Sequence, residues 1–374
     1  MKLRLFIRKI MHRIGNRLVA MSIDATSAVV PRDFRWNDPQ NEQEAEEFLS
    51  KRIISSAKNL GVTKIILLGG KKDFRSNLAE ILQESFTISS FESLESMIAD
   101  ADLDLSCTVI GITTLQANEI HRIGENLVRD PKTSNVAFEY VVIPKVENLA
   151  INRMYENSND FISPLHLQEP NFSNLYEESC KLFEPKTGIR DFMDLIQGVN
   201  HVFNTNLQGD LAEFGSFKGQ SGYLTARYLE ARKSPKTLFM FDAFESFPIE
   251  SNGVDHFWSD THKVNFEEIK QKFKRFNHVD LVKGDFTETF NQSACKKLCL
   301  AFVDCDSYRG TKYLIDEIFE DRLVVGGLMI FEDYGHASLL GNRLAVHEKF
   351  KGKRNAFCFF SQFSGSFYVC KLQA

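Results

Sequence analysis

From Asp210 onward the chain repeats one pattern, and this pattern limits the fold more than any other feature. A short apolar run ends in an acidic residue, and a turn and a stretch of helical spacing follow. The first run leads through Glu213 into a glycine-rich turn, Gly215 to Gly222. Thr237 to Phe241 ends at Asp242, and Val279 to Val282 leads to Asp285. Leu300 to Val303 ends in Asp304-Cys305-Asp306, and Val324 to Phe331 ends in Glu332-Asp333-Tyr334. Strands that alternate with helices pair in parallel through helical crossovers. In an open parallel sheet the carboxyl ends of the strands meet at one ligand crevice. The reading is therefore an α/β chain with a C-terminal doubly wound, Rossmann-like sheet.

A length of 374 residues exceeds what one core usually fills, so more than one domain is expected. The divisions read are a basic helix and linker at 1–30, a small α/β domain at 40–150, a helical connector at 151–205 and the acidic-tipped domain at 206–374. The connector is broken by Pro164, Pro170 and Pro185. A net charge of -5 gives no overall attraction to nucleic acid. Seven cysteines at irregular spacing form no zinc set, although Cys295 and Cys299 lie close together. They suit a reduced, cytoplasmic protein with buried thiols. No stretch is apolar for long enough to span a bilayer.

Residues 1–20 carry Lys2, Arg4, Arg8, Lys9, Arg13 and Arg17 without an acidic residue. Leu3, Ile7, Ile10, Ile14 and Leu18 fall at helical spacing. Such a helix reads as a peripheral membrane anchor, as a helix lying on protein, or as a targeting peptide.

In the leading domain, strands are expected at Lys64–Leu68, Phe86–Ser89, Thr108–Ile112 and Val136–Ile143, with helices between them. It lacks the G-x-G-x-x-G pattern of dinucleotide binders. Gly69-Gly70-Lys71-Lys72 is either a tight turn or an anion site at a helix N-terminus.

The second domain carries the chemistry. Gly215 and Gly219 let a ligand approach the backbone closely. Glu213 beside them would repel a pyrophosphate. It suits a cofactor with a cationic part, such as the sulfonium and ammonium of S-adenosylmethionine. Asp242 ends the second strand, where an acidic residue accepts hydrogen bonds from ribose hydroxyls. Asp285 and Phe286 could read and stack an adenine, and each aspartate alone could equally cap a helix. Asp304, Glu332 and Asp333 fall on neighbouring strand ends. Such a cluster needs a compensating cation, and its oxygen donors suit a magnesium-like ion. The competing reading pairs these carboxylates with Arg309, Lys312 or Arg322.

The segments LAEFGSFKGQSG, MFDAFESFP, VKGDFTETF, AFVDCDSYRGTKYLIDEI and RLVVGGLMIFEDYG, in that order, resemble the macrocin O-methyltransferase (TylF-like) family. The resemblance runs from about Ile189 to the C-terminus. It implies a class I methyltransferase acting on sugar hydroxyls, usually with magnesium, and a sheet with an antiparallel last strand built from the hairpin around Gly365. The cofactor residues it implies are Glu213, Gly215, Ser216, Phe217, Lys218, Gly219, Ser221, Asp242, Ala243, Asp285 and Phe286. The implied metal ligands are Asp304, Glu332 and Asp333, where Glu332 replaces the usual first Asp of D-D-Y.

On this reading Asp304, or else Asp306, takes the proton of a sugar hydroxyl. The stretch from Phe244 to His262, with Phe247, Pro248, His256, Phe257 and Trp258, is a lid or a plain surface loop. His256, His262 and His336 are further candidate bases. A sugar-containing small molecule or glycan is the expected acceptor, with no nucleic acid. A homodimer through the connector helices is a further expectation. A non-catalytic scaffold on the same fold is the alternative.

Overall fold

The computed structural model describes residues 41–100, 103–141, 172–183, 189–247, 253–255, 262–336, 339–361 and 364–373. The basic segment at 1–20, the connector prolines and Pro248, His256, Phe257 and Trp258 lie outside these residues.

The leading domain alternates strand and helix: α1 (Glu42–Leu60), β1 (Lys64–Leu68), α2 (Lys72–Leu82), β2 (Thr87–Phe91), α3 (Leu94–Ala99), β3 (Thr108–Ile112), α4 (Ala117–Arg129) and β4 (Ala137–Glu139). Its sheet has the order β2-β1-β3-β4 and is parallel throughout. β1 and β3 are buried nearly end to end, as expected for strands covered on both faces. The last strand covers Ala137–Glu139, and its buried Glu139 carboxylate is held by Arg52 (2.9 Å) and Ser56 of α1. The glycine pair forms a packed turn. The Arg75 guanidinium donates to the carbonyls of Gly69 and Gly70, and the Thr113 hydroxyl donates to Gly69 O (2.6 Å). A Cβ on Gly70 would lie 2.3 Å from Thr113 O, so nothing enters there, and Lys71 pairs with Glu42.

Two helices follow, α5 (Phe172–Leu182) and α6 (Ile189–Asn204). Phe172, Phe183, Phe192 and Ile196 are buried in one core with Leu211, Leu224, Leu300 and Ile330 of the second domain. The first of these helices has no counterpart in the sequence reading. Prolines flank it, and its helical pattern spans only about three turns.

The second domain then runs β5 (Asp210–Phe214), α7 (Gln220–Ala231), β6 (Leu238–Asp242), α8 (Phe266–Phe273), β7 (Val279–Lys283), α9 (Phe286–Thr289), β8 (Leu298–Val303), α10 (Tyr308–Ile318), β9 (Leu323–Phe331), α11 (Leu340–Phe350), β10 (Ala356–Phe360) and β11 (Phe367–Lys371). Its seven strands have the order β10-β11-β9-β8-β5-β6-β7. β11 is antiparallel to β9 and to β10, and the other pairs are parallel. This is the expected doubly wound sheet with its antiparallel edge. The strand order reverses between β5 and β8, which places a crevice beyond their carboxyl ends.

The two domains share a core. Leu340 and Leu344 of α11 are buried with Ile110, Ile120, Ile123 and Tyr140 of the leading domain. The Leu340 N–H donates to the buried Tyr140 hydroxyl at 2.7 Å.

Candidate functional site

The site begins where β5 stops. Gly215 follows Phe214 with φ 91°. A Cβ there would lie 1.7 Å from Asp304 O, so only glycine lets the turn pass against the tip of β8. The Gly215 N–H donates to Phe241 O at 2.9 Å, which stitches the turn to β6.

Asp242 then locks the turn. One carboxylate oxygen accepts from Phe217 N–H (2.8 Å) and the other from Phe244 N–H (2.6 Å). Burial lifts this carboxyl to about 6. An ionised carboxylate has about four acceptor sites. Two are used here, and two remain for ligand hydroxyls.

Glu213 sits differently from expectation. It is 2% exposed and lies beneath the turn, where it accepts from the Ser221 hydroxyl at 2.8 Å. Burial raises its carboxyl to about 7. It therefore organises the turn from behind. Ser216, Lys218, Gly219 and Ser221 likewise belong to the turn and the start of α7 and do not line the cavity.

The cavity itself has a volume of about 710 Å³ including its open mouth. Of the expected cofactor residues, Gly215, Phe217, Asp242, Ala243, Asp285 and Phe286 line it. Asp285 lines the cavity and caps a helix. One oxygen caps α9 at Thr287 N–H (2.8 Å), and the other pairs with Arg309 Nη2 (3.1 Å).

Sequence reasoning missed Arg309, Thr287 and Ser246 as lining groups. Arg309 was read only as a neutraliser of the metal cluster. Its spacing from Ser307, the N-cap of α10, was the available signal that it would project from the first turn of that helix.

The carboxylates stand at the neighbouring strand ends. One oxygen each from Asp304, Glu332 and Asp333 lies within 4.8 Å of the other two. Asp304 ends β8, and Glu332 and Asp333 open the helical turn after β9. Asp333 is 3% exposed. Burial, and then the charges of Asp306 and Asp304, push its carboxyl well above the ordinary range. Asp306 takes a left-handed conformation at φ 55°, and its N–H donates to Asp333 Oδ2 at 3.1 Å.

Of the competing cations, Lys312 pairs with Glu348 (2.7 Å), Arg322 with Glu317 (3.9 Å) and Arg309 with Asp285. Three converging carboxylate oxygens, one of them buried against its neighbours' charge, fit a hard divalent cation. The longer arm of Glu332 still reaches the cluster.

Three non-glycine residues with positive φ line this cavity: Phe217, His262 and Asp306. Such conformations cost on the order of 1–3 kcal/mol each and persist where tertiary contacts impose them. His262 lines the cavity edge-on to Phe217, with ring centroids 5.2 Å apart. His336 does not line it, and burial beside Arg343 lowers its ring to about 4, so it is neutral. Burial raises the Cys295 and Cys299 thiols to about 12 and 11, as inert core groups.

Comparison with known proteins agrees with the motif reading. Residues 177–356 match the model of the macrocin-O-methyltransferase (TylF) family. Demethyldecarbamoylnovobiocin O-methyltransferase of Streptomyces niveus is 26% identical over 162 residues, which covers 39% of this chain and 61% of that protein. The chain thus spans less than two thirds of this relative's length. Among solved structures, the O-methyltransferase NovP aligns with a TM-score of 0.45 at 22% identity, over 50% of this chain and 81% of that one. CalS11, a calicheamicin methyltransferase, aligns with a TM-score of 0.42 at 18% identity, over 61% and 91%. No helix among the described residues is long and apolar enough to cross a membrane.

Proposed function

We propose, on the premise of the macrocin-O-methyltransferase match over residues 177–356, that this chain transfers a methyl group from S-adenosylmethionine to a hydroxyl of a sugar or glycosylated small molecule. The observation that carries this reading is the pairing of two features on one cavity. Asp242 and the Gly215 turn line the cavity together with Asp304, and Asp304 is also the member of the carboxylate cluster with Glu332 and Asp333 that reaches it.

Each residue has a task in this reading. The Gly215 turn admits the cofactor to the backbone, and Asp242 uses its two spare acceptor sites to fix the ribose. Asp285 and Phe286 border the base. Phe217, Phe247 and His262 wall the mouth and exclude water. S-adenosylmethionine would supply an already activated methyl group, and a divalent cation, if held by Asp304, Glu332 and Asp333, would lower the pKa of the acceptor hydroxyl. Asp304 accepts the hydroxyl proton as the oxygen–methyl bond forms and the sulfur–methyl bond breaks. Alignment of donor and acceptor contributes much of the acceleration.

The reading is tested by product release. The full chain with S-adenosylmethionine and magnesium, offered nucleotide sugars and glycosylated small molecules, is expected to form S-adenosylhomocysteine. A chelator is expected to lower the rate at least about 100-fold, the scale of a lost charge-stabilising group at a reaction centre. A non-catalytic scaffold would release none with any acceptor, and release indifferent to chelator would remove the metal from the mechanism.

A further inference from the structure

The far edge of the seven-stranded sheet is built in an unusual way. β10 is its outermost strand. From Asn355 to Ser361 it reads Asn-Ala-Phe-Cys-Phe-Phe-Ser, with no charge and no proline. Edge strands are normally blunted by charge, proline or a bulge, because their open N–H and C=O groups invite another strand. This strand has none of these devices. It also exposes Phe357 at 56%, Phe359 at 43% and Phe360 at 37%.

The hydrogen-bond phase fixes which groups face outward. Leu372 N–H donates to Asn355 O and Ser361 N–H to Ser366 O. In an antiparallel pair, hydrogen-bonded positions alternate. Residues 355, 357, 359 and 361 therefore bond to β11, and Ala356, Cys358 and Phe360 turn their backbone groups outward. Among the described residues, nothing pairs with that outer side.

We infer that β10 pairs antiparallel with β10 of a second copy of this chain, about a two-fold axis through Cys358. The strand is self-complementary about that residue. Cys358 faces Cys358 of the partner subunit, and Ala356 faces the outward groups of the partner's Phe360. All three outward residues then lie at hydrogen-bonded positions, and Phe357 falls opposite the partner's Phe359 at the closer, non-hydrogen-bonded spacing. A two-fold interface needs one patch that complements itself, and this strand supplies it.

The alternation that places Phe357 and Phe359 on one face also brings Leu372, 52% exposed, to that face beside them. Strand pairing alone is small against the roughly 1,200 Å² of a stable interface, and these apolar groups extend the contact. Phe360 packs against Tyr334 with ring centroids 5.7 Å apart, so the interface comes within one residue of Asp333.

The test is oligomeric state together with a cross-link. Paired Cys358 residues would stand with Cα atoms about 5.5 Å apart, inside the span a disulfide bridges. The full chain at tens of micromolar is expected to have a mass in solution twice 42.8 kDa. Copper phenanthroline is expected to link it into a covalent dimer. Cys358→Ser should remove the link and keep the mass, Cys107→Ser should keep both, and Phe357→Lys should give the single-chain mass. Two results overturn the inference: a wild-type chain of single mass, as when its own N-terminal segment covers the strand, or a dimer that fails either the Cys358 link or the Phe357→Lys dissociation.

Discussion

Replacing Asp304 with asparagine is expected to lower turnover by at least about 1000-fold and to leave S-adenosylmethionine affinity within a few-fold of wild type. Loss of a positioned general base alone is worth about 10²–10⁴ in rate. The same change removes one of three charges from the cluster that fits a cation. A 1000-fold loss corresponds to about 4 kcal/mol of transition-state stabilisation. Asparagine keeps the size of the side chain, and the backbone bond from Asp304 N–H to Phe214 O (2.9 Å) remains. The turn and Asp242 are therefore undisturbed. Initial rates of S-adenosylhomocysteine release, with calorimetric affinity beside them, check this. Activity within tenfold of wild type would transfer the proton to another group, with Asp306 the first to examine.

Gly215→Ala is expected to do the reverse, removing cofactor binding by damaging the platform. The added Cβ would meet the Asp304 carbonyl oxygen at 1.7 Å and the carbonyl carbon at 2.6 Å. Both are backbone atoms, so the end of β5 or the tip of β8 must move. The φ of 91° adds strain of its own. The expected loss is about 4 kcal/mol or more of stability in the second domain, the range reserved for backbone clashes at special positions. Cofactor affinity should fall at least about 100-fold. Gly352→Ala is the control. It has φ 77° but nothing within 4 Å of its Cβ, so it should cost only the left-handed strain, about 1–2 kcal/mol. Thermal melts of the two variants would separate clash from strain. Equal melting temperatures would contradict the close approach at Gly215.

Much of this site was legible in the sequence because its residues sit at strand ends. Asp242 and Asp304 each follow an apolar run, and strand direction alone carries them to one crevice. The triad Asp304, Glu332 and Asp333 was readable for the same reason. Glu213 was placed at the crevice by the same logic, but it is the penultimate residue of its strand, and the turn folds over it. The left-handed conformations of Phe217, His262 and Asp306 leave no mark in composition, since tertiary contacts impose them. The pair Arg309–Asp285 joins residues 24 apart on different elements, which no local pattern reports. The docking of the leading domain was equally hidden. Leu340 and Leu344 look like ordinary inner-face residues of α11, and only the fold shows that they face Tyr140 and Ile123.

The most direct measurement is calorimetric titration of the full chain with S-adenosylmethionine at pH 8. That pH lies above the value of about 7 to which burial lifts Glu213. There the carboxylate beneath the turn is charged; it does not touch the ligand, and its negative potential acts through the turn on a cationic group bound above it. As pH falls through 7 the group is protonated, the attraction is lost, and affinity should weaken. A single site per chain with micromolar affinity, about -8 kcal/mol, that weakens by about tenfold at pH 6 is the expected result. No heat of binding at pH 8 with millimolar cofactor would contradict it.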